Sequence, residues 1–501
     1  MSYTQNYDVL ESTASYTTIW RETNWKKVNR YVNKLRHRIF RAESEGNSRK
    51  VRDLQRLLIR SKAALKLAIR RVTQTNKGKR TPGVDGFTAM NDAKRGKLFV
   101  KLNNRDIKKH KPKPVKRIYI PKKNGKKRSL GIPTIIDRVY QELLRLALEP
   151  QWEARFEPTS YGFRPARRTH DALERIFFNT KSGKWSQVFE GDFKACFDTI
   201  SHEFILKKLD GFPYVDVIEK ILKAGYNDEG NFFPTEQGTP QGGLLSPLLA
   251  NIALTGLEDY LNISYKKSFR KDGYEIITTH GNYRSVRYAD DFLIFAQTKE
   301  EIEEVYNILE PYLEERGLIL AEDKTDTTTI YEGFDFLGFN IRSEDGNKCI
   351  IKPSKDSLKE ARAIINEVFG HMKGHNVGEL ISVLNPVIDG IAEYWKPLCS
   401  TDAFHAIDHH IWTRTWIFLN HLHSGKSKEW IVSKYFPKPE KNAKHNDRWI
   451  LTDPKSGEQL HKMRQVNIER HTMVKGNYSP LDRSKFEYFK KRFNSNKNYF
   501  R

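Results

Sequence analysis

Val188-Phe189-Glu190-Gly191-Asp192-Phe193 and, further along the chain, Tyr288-Ala289-Asp290-Asp291-Phe292-Leu293-Ile294 are the stretches whose reading decides the fold. The first is a short apolar run that ends on an acid and predicts a strand. The second lies inside Ser285 to Ala296, which alternates like a hairpin centred on Ala289-Asp290-Asp291. A strand ending in Asp, set beside a hairpin whose turn carries Asp-Asp, brings three carboxylates together: Asp192, Asp290 and Asp291. Carboxylates set among Phe189, Phe193, Phe292, Leu293 and Ile294 are costly without a metal or a partner. Hard cations such as Mg²⁺ prefer oxygen ligands and take few protein carboxylates. Nucleotidyl transfer suits two such ions about 3.5–4 Å apart. Taken alone, Asp290-Asp291 reads as an ordinary solvated turn, because Asp is a common turn residue; the surrounding segments reverse that reading.

Working outward, residues 1–18 are polar and predict a loose segment. Trp25, Val28, Tyr31, Val32, Leu35 and Ile39 recur at helical spacing, and a second amphipathic helix is expected over Val51–Val72. Thr81-Pro82-Gly83-Val84-Asp85-Gly86 is a turn cluster that closes this unit. Arg117 to Pro121, a basic turn from Lys122 to Arg128, and Leu130 to Pro133 give a hairpin signal with cations at its tip. Helices are expected over Asp137–Ala154, His202–Leu209, Ser246–Leu261 and Glu300–Arg316, and a strand over Phe334–Phe339. Beyond Ser354 the pattern is mainly helical, roughly over 356–370, 376–397 and 402–422, and the last 60 residues mix short elements with loops. Strands and helices that intermingle in the middle, with helices flanking them, predict an α+β protein with helical appendages.

The 501 residues carry 87 Lys and Arg against 62 Asp and Glu, a net charge of +25. That surplus makes a polyanion the natural partner. The excess is concentrated between Arg21 and Arg80, between Lys101 and Leu130, and from His421 onward. No apolar run approaches the roughly 20 residues of a membrane span, so no membrane partner is expected. Cys196, Cys349 and Cys399 lie far apart and form no CxxC pair, which argues against a disulfide framework and a Cys-rich zinc site. No signal peptide is apparent. The expected setting is cytoplasmic in a bacterium, associated with the nucleoid, or within the organelle that encodes the protein; the chain is not expected to be secreted.

Five segments in order carry a resemblance. Tyr288-Ala289-Asp290-Asp291 resembles the YADD box of reverse transcriptases, and Glu190 to Asp198 resembles the box holding their first catalytic aspartate. Gly238-Thr239-Pro240-Gln241-Gly242-Gly243-Leu244-Leu245-Ser246-Pro247 resembles the PQG segment of group II intron reverse transcriptases. Thr81 to Gly86 and Ser160-Tyr161-Gly162-Phe163-Arg164-Pro165 resemble earlier boxes of the same family. The order and spacing agree over roughly residues 55–345, and the sequence is identified as similar to group II intron-encoded proteins.

The resemblance implies a right-hand-like fingers and palm with a helical N-terminal extension and a helical thumb. It implies that Asp192 and Asp290 bind two Mg²⁺ ions, with Asp291 a ligand or close support. Phe197 would be the steric gate against a ribonucleotide 2′-OH. Lys122 and Arg128 would meet the triphosphate of the incoming dNTP. Gln241 and its glycines would let backbone approach template–primer and dNTP closely. Lys324 would protonate pyrophosphate as general acid. Gly333 to Phe339 resembles a primer-grip strand pair.

Leu384 to Trp395 resembles the start of the maturase (X/thumb) domain. Ile468-Glu469-Arg470-His471-Thr472-Met473-Val474-Lys475-Gly476 resembles the DNA-binding region that follows it. The expected organisation is 1–80 basic helical extension for RNA binding, 81–345 fingers and palm, 354–425 maturase domain and 426–501 basic DNA-binding region. Many relatives carry an HNH nuclease with paired cysteines and histidines. No cysteine follows Cys399, so none is expected here, and His461 and His471 read as ordinary histidines. The function implied is binding of the host intron RNA, aid to its splicing, and copying into DNA from the primer 3′ end at a nicked target DNA. Two other readings stay open: a splicing maturase with an idle polymerase, and a bacterial reverse transcriptase outside introns. Nothing in these motifs sets an oligomeric state.

Overall fold

The computed structural model describes residues 14–121, 125, 127–271, 275–344, 348–438 and 447–495. Its centre is a four-stranded antiparallel sheet in the order Asp326–Thr329, Gln187–Asp192, Asp291–Ala296, Arg284–Tyr288. Residues on a strand point alternately to its two faces, and here both faces are covered. Phe189, Phe292 and Ile294 enter one core, shared with the N-terminal helices and Lys299–Arg316. Val188, Leu293 and Phe295 enter a second core, which continues into the C-terminal helices. Two-sided burial is why Phe292–Ala296 reads as an unbroken apolar run.

Toward the N-terminus, Trp25–Ser44, Ser48–Ile59 and Lys62–Arg70 pack on the long helix Ile135–Glu153. The single helix expected over Val51–Val72 is broken. The Ser61 hydroxyl accepts a hydrogen bond from the amide of Ala64 (3.1 Å), so it caps a new helix and ends the old one. Residues 14–21 are helical rather than loose, because Trp20 is buried edge-on against Trp25. The hairpin Val115–Pro121 with Lys127–Ile132 forms as expected and is extended by Tyr226–Asp228 and Asn231–Phe233. The helix expected over Ser246–Leu261 stops at Leu254 and restarts at Leu257, where Gly256 takes a φ of 106°. A hairpin from Ser264–Phe269 and Glu275–His280, not foreseen, joins this region.

Phe334–Phe339, expected as one strand, is a hairpin. Leu337 and Gly338 turn left-handed (φ 52° and 83°), so Phe336 pairs with Phe339. Helices Lys355–His371, Val377–Trp395 and Thr401–Leu422 then bury Ile365, Leu380, Leu384, Phe404 and Leu419 against one another. No helix among the described residues is long and apolar enough to cross a membrane.

The chain finally returns to the palm as a strap. Asp171, fully buried on helix Thr169–Thr180, accepts from the amide of Val474 (2.7 Å) and the guanidinium of Arg492 (2.8 Å), and pairs with His471 (3.0 Å). Arg470 pairs with Glu174 (2.7 Å) and Arg167 donates to the carbonyl of Gly476 (2.7 Å). Three cationic or ring groups of the segment expected to meet DNA, Arg470, His471 and Arg492, are therefore paired with acids of helix Thr169–Thr180, Arg470 at the surface and the other two in the interior.

Candidate active site

Asp192 is the last residue of its strand and stands in register with Asp291, the first residue of the neighbouring strand. Tyr288 also pairs with Asp291, which leaves Ala289 and Asp290 as the two-residue turn. Ala289 lies in the left-handed region (φ 60°), a conformation an L residue adopts only when its surroundings impose it. Gly162 leaves room for that turn: a Cβ there would stand 2.3 Å from the Ala289 nitrogen. Gly191 is required for a similar reason, since a Cβ on it would meet the Phe292 ring at 2.1 Å.

A buried network fixes this turn from behind. Arg287 is 2% exposed. One of its nitrogens donates to the Ala289 carbonyl and to Asn251 Oδ1, both at 3.2 Å, and the other reaches Glu157 at 3.4 Å. Asn251 Nδ2 donates to the Gly162 carbonyl (2.8 Å), and the Tyr161 amide donates to the Arg287 carbonyl (2.8 Å). Arg287, Glu157 and Asn251 were not picked out as functional by sequence reasoning. The available signal was a charged residue in the middle of an otherwise core-facing strand.

The acids disturb one another. Asp291 is solvent-exposed, yet the protein packed around it, followed by the charges of Asp290 and Asp192, pushes it up to about 7. Burial first and Asp192 next raise Asp290, while Arg128 and Lys324 act the other way. The Lys324 ammonium bonds the Asp192 carboxylate, and that bond raises the lysine's own pKa. Among the described residues no group of three or more His, Cys, Asp or Glu closes into a metal cage. An open set of mutually repelling carboxylate oxygens still fits a hard divalent ion, which takes few protein ligands and completes its shell with water and phosphate.

Lys122 lies outside the described residues. Arg128 is exposed, opposite Ile120 in the hairpin, and its charge is felt at Asp290. Phe197 is half-buried, follows the left-handed Ala195 (φ 51°), and meets Phe163 edge-on at 6.4 Å. Its carbonyl accepts from the Thr239 amide at 2.5 Å. The carbonyl of Gln241 accepts from the Gly131 amide at 2.6 Å, which joins the PQG loop to the hairpin. Gly242 (φ 119°) passes so close that a Cβ would be 2.7 Å from the Gly131 oxygen. Phe197 and Gln241 line one cavity of about 320 Å³ together with Arg117, Ser129 and Gly131; the three aspartates do not line it. His461 and His471 are engaged by different carboxylates, Asp389 and Asp171.

Residues 120–341 match the family described as reverse transcriptase (RNA-dependent DNA polymerase). Residues 20–102 match the N-terminal domain of reverse transcriptase, and 358–436 the group II intron maturase-specific domain. Protein YkfC of Escherichia coli is 36% identical over 303 residues, covering 54% of this chain and 78% of that protein. The group II intron-encoded protein LtrA of Lactococcus lactis is 33% identical over 327 residues, covering 54% of this chain and about half (53%) of LtrA. Maturase-like protein 1 of Euglena gracilis is 28% identical over 378 residues, covering 74% of this chain and 76% of that protein.

Proposed function

The chain belongs to the family of group II intron-encoded reverse transcriptase/maturases, and from that premise we propose that it copies its host intron RNA into DNA from a primer 3′ end at a nicked target, and that Asp192, Asp290 and Asp291 form its catalytic centre. The observation that carries this is the register pairing of Asp192 with Asp291, with Asp290 at the adjoining turn. Asp192 and Asp290 would hold two Mg²⁺ ions, with Asp291 beside them. When bound, such ions supply charge stabilisation at the attacking and leaving oxygens.

The remaining steps belong to the chain's own residues. The primer 3′-hydroxyl gives up its proton to solvent as its oxygen attacks the α-phosphorus of a dNTP, a P–O bond forms, and the bond to pyrophosphate breaks. Arg128, whose charge is felt at Asp290, receives the triphosphate, aided by Lys122. Phe197 and Gln241 share one cavity wall and shape the pocket for the sugar and base. Lys324, beside Asp192, carries on its Nζ a proton for the departing pyrophosphate once the Asp192 carboxylate is taken up by the metals. The network around Arg287 holds the Asp290 turn in place before substrate arrives.

The helices of 354–425 and the basic extension 1–80 grip template–primer and intron RNA through phosphate and shape. In the tail, exposed cations such as Arg448 and Lys455 are left to meet target DNA. Primer extension on poly(rA)/oligo(dT) with the full chain tests the reading. Mg²⁺-dependent DNA synthesis is expected; folded protein that binds RNA and makes no DNA would leave a maturase with an idle polymerase.

A further inference from the structure

A second cavity, of about 970 Å³, lies between helix Asp92–Asn103, the segment that follows it, and the start of helix Ile135–Glu153. It shares no lining residue with the cavity that holds Phe197 and Gln241. Its walls carry Lys94, Lys97 and Lys101 from one helix and Lys109, Lys111 and Lys113 from the extended segment. The first three recur at helical spacing on a single face. All six are exposed.

The acids nearby are already engaged. Asp85 accepts from the amide of Phe87 (3.2 Å) and Asp106 from the amide of Lys108 (3.0 Å). Asp137 is buried and bonds Thr134 and His110, both at 2.6 Å. Among the described residues none of the six ammonium groups makes an ion pair. Like charges gathered around a concavity repel one another and raise the local concentration of anions. A bound polyanion relieves that repulsion and releases counterions.

We propose that this groove is a second RNA-binding site, which holds the phosphate backbone of an unpaired stretch of RNA outside the cleft where synthesis takes place. The proposal rests on the chain being an RNA-binding reverse transcriptase. The shape selects the form of the ligand. Duplex RNA is recognised across the broad minor groove of a thick rod. A recess with lysines on two walls follows a single backbone instead. The half-buried His110 lines the recess, tilted at 57° against the buried Tyr140 with ring centres 4.5 Å apart.

The test uses the full chain with two triple substitutions, Lys94→Gln/Lys97→Gln/Lys101→Gln and Lys109→Gln/Lys111→Gln/Lys113→Gln, and an unstructured oligo(U) RNA as probe. Each triple variant should lower the slope of log affinity against log salt by about 2, since each lost single-strand phosphate contact removes about 0.7. The matching Lys→Arg variants should keep both affinity and slope, which separates lost charge from misfolding. The rate on saturating poly(rA)/oligo(dT) should stay within about twofold of the unaltered chain's. Unchanged affinity and slope would overturn the proposal. So would an equal fall in the saturated rate, which would put the groove in the catalytic cleft, or equally tight binding of poly-glutamate, which would make it a generic anion surface. If the unaltered chain extended no primer, the catalytic reading would fail, while oligo(U) binding that still depended on these lysines would uphold the groove.

Discussion

Asp192 and Asp291 face one another across the central antiparallel strand pair, each at the end of its strand nearest the Ala289-Asp290 turn. The carboxylates come from segments far apart in sequence, yet their positions are fixed by ordinary β pairing. Asp290→Asn keeps the size of the side chain and removes its charge. Mg²⁺-dependent primer extension should fall to background, while affinity for RNA, which rests on phosphate contacts elsewhere, stays the same. Normal synthesis by this variant would refute the site.

Arg287 acts on that turn without meeting substrate. Arg287→Met removes the bonds to Ala289 and Asn251 and leaves Glu157, about 10% exposed, without its guanidinium. Breaking one side of a buried pair costs about 3–5 kcal/mol. Asn251→Ala is milder: it loses the bonds to Gly162 and Arg287 at about 1–3 kcal/mol. Supporting residues of this kind change activity by about 10–100-fold when removed. A purely structural role would lower thermal stability and leave kcat per folded molecule unaltered; a positioning role lowers kcat with little change in the KM for dNTP.

Phe197 stands half-buried against Phe163 on the wall of the cavity it shares with Gln241. If it excludes the 2′-OH, Phe197→Ala should raise the use of ribonucleotides relative to deoxynucleotides by at least about tenfold, the scale that one packed contact contributes to discrimination. The readout is the ratio of kcat/KM for rNTP and dNTP on one primer–template. An unchanged ratio would reduce Phe197 to a packing residue.

The fold and the three aspartates were legible because each depends on a local pattern. Val188-Phe189 leads up to Asp192 and an apolar run follows Asp291, and the turn that joins Arg284–Tyr288 to Asp291–Ala296 is visible in sequence. The breaks at Ser61 and Gly256 were not legible. Each lies inside a continuous helical period and depends on one hydroxyl or one left-handed residue. The bracing by Arg287 was hidden for a different reason. Its partners, Glu157, Asn251 and Ala289, belong to three segments that only the tertiary fold brings together. The docking of the strap was not legible either, because the acids that Arg470 and Arg492 meet, Glu174 and Asp171, lie on a helix about 300 residues earlier in the chain.

Asp447 gives a pH-dependent test of how the tail is held. Burial opposes its ionisation, but hydrogen bonds from Lys462 and Arg464 prevail and bring it from 3.8 to about 2. Its side chain is only 12% exposed. Because the folded-state value is depressed, the contribution to stability is complete above the ordinary 3.8 and disappears as pH falls through about 2. The shift corresponds to about 2 kcal/mol. Asp447→Asn should therefore be less stable than the unaltered chain by that order at neutral pH, and the gap should close between about pH 4 and pH 2. Denaturant unfolding followed by tryptophan fluorescence measures it, since Trp449 donates its amide to Asp447 (3.1 Å) and lies edge-on to Trp412 at 5.2 Å. A gap that stayed constant down to pH 2 would mean that the asparagine acts through lost packing, and that the carboxylate's charge does not tie the Asp447 turn to Lys462 and Arg464 within the tail.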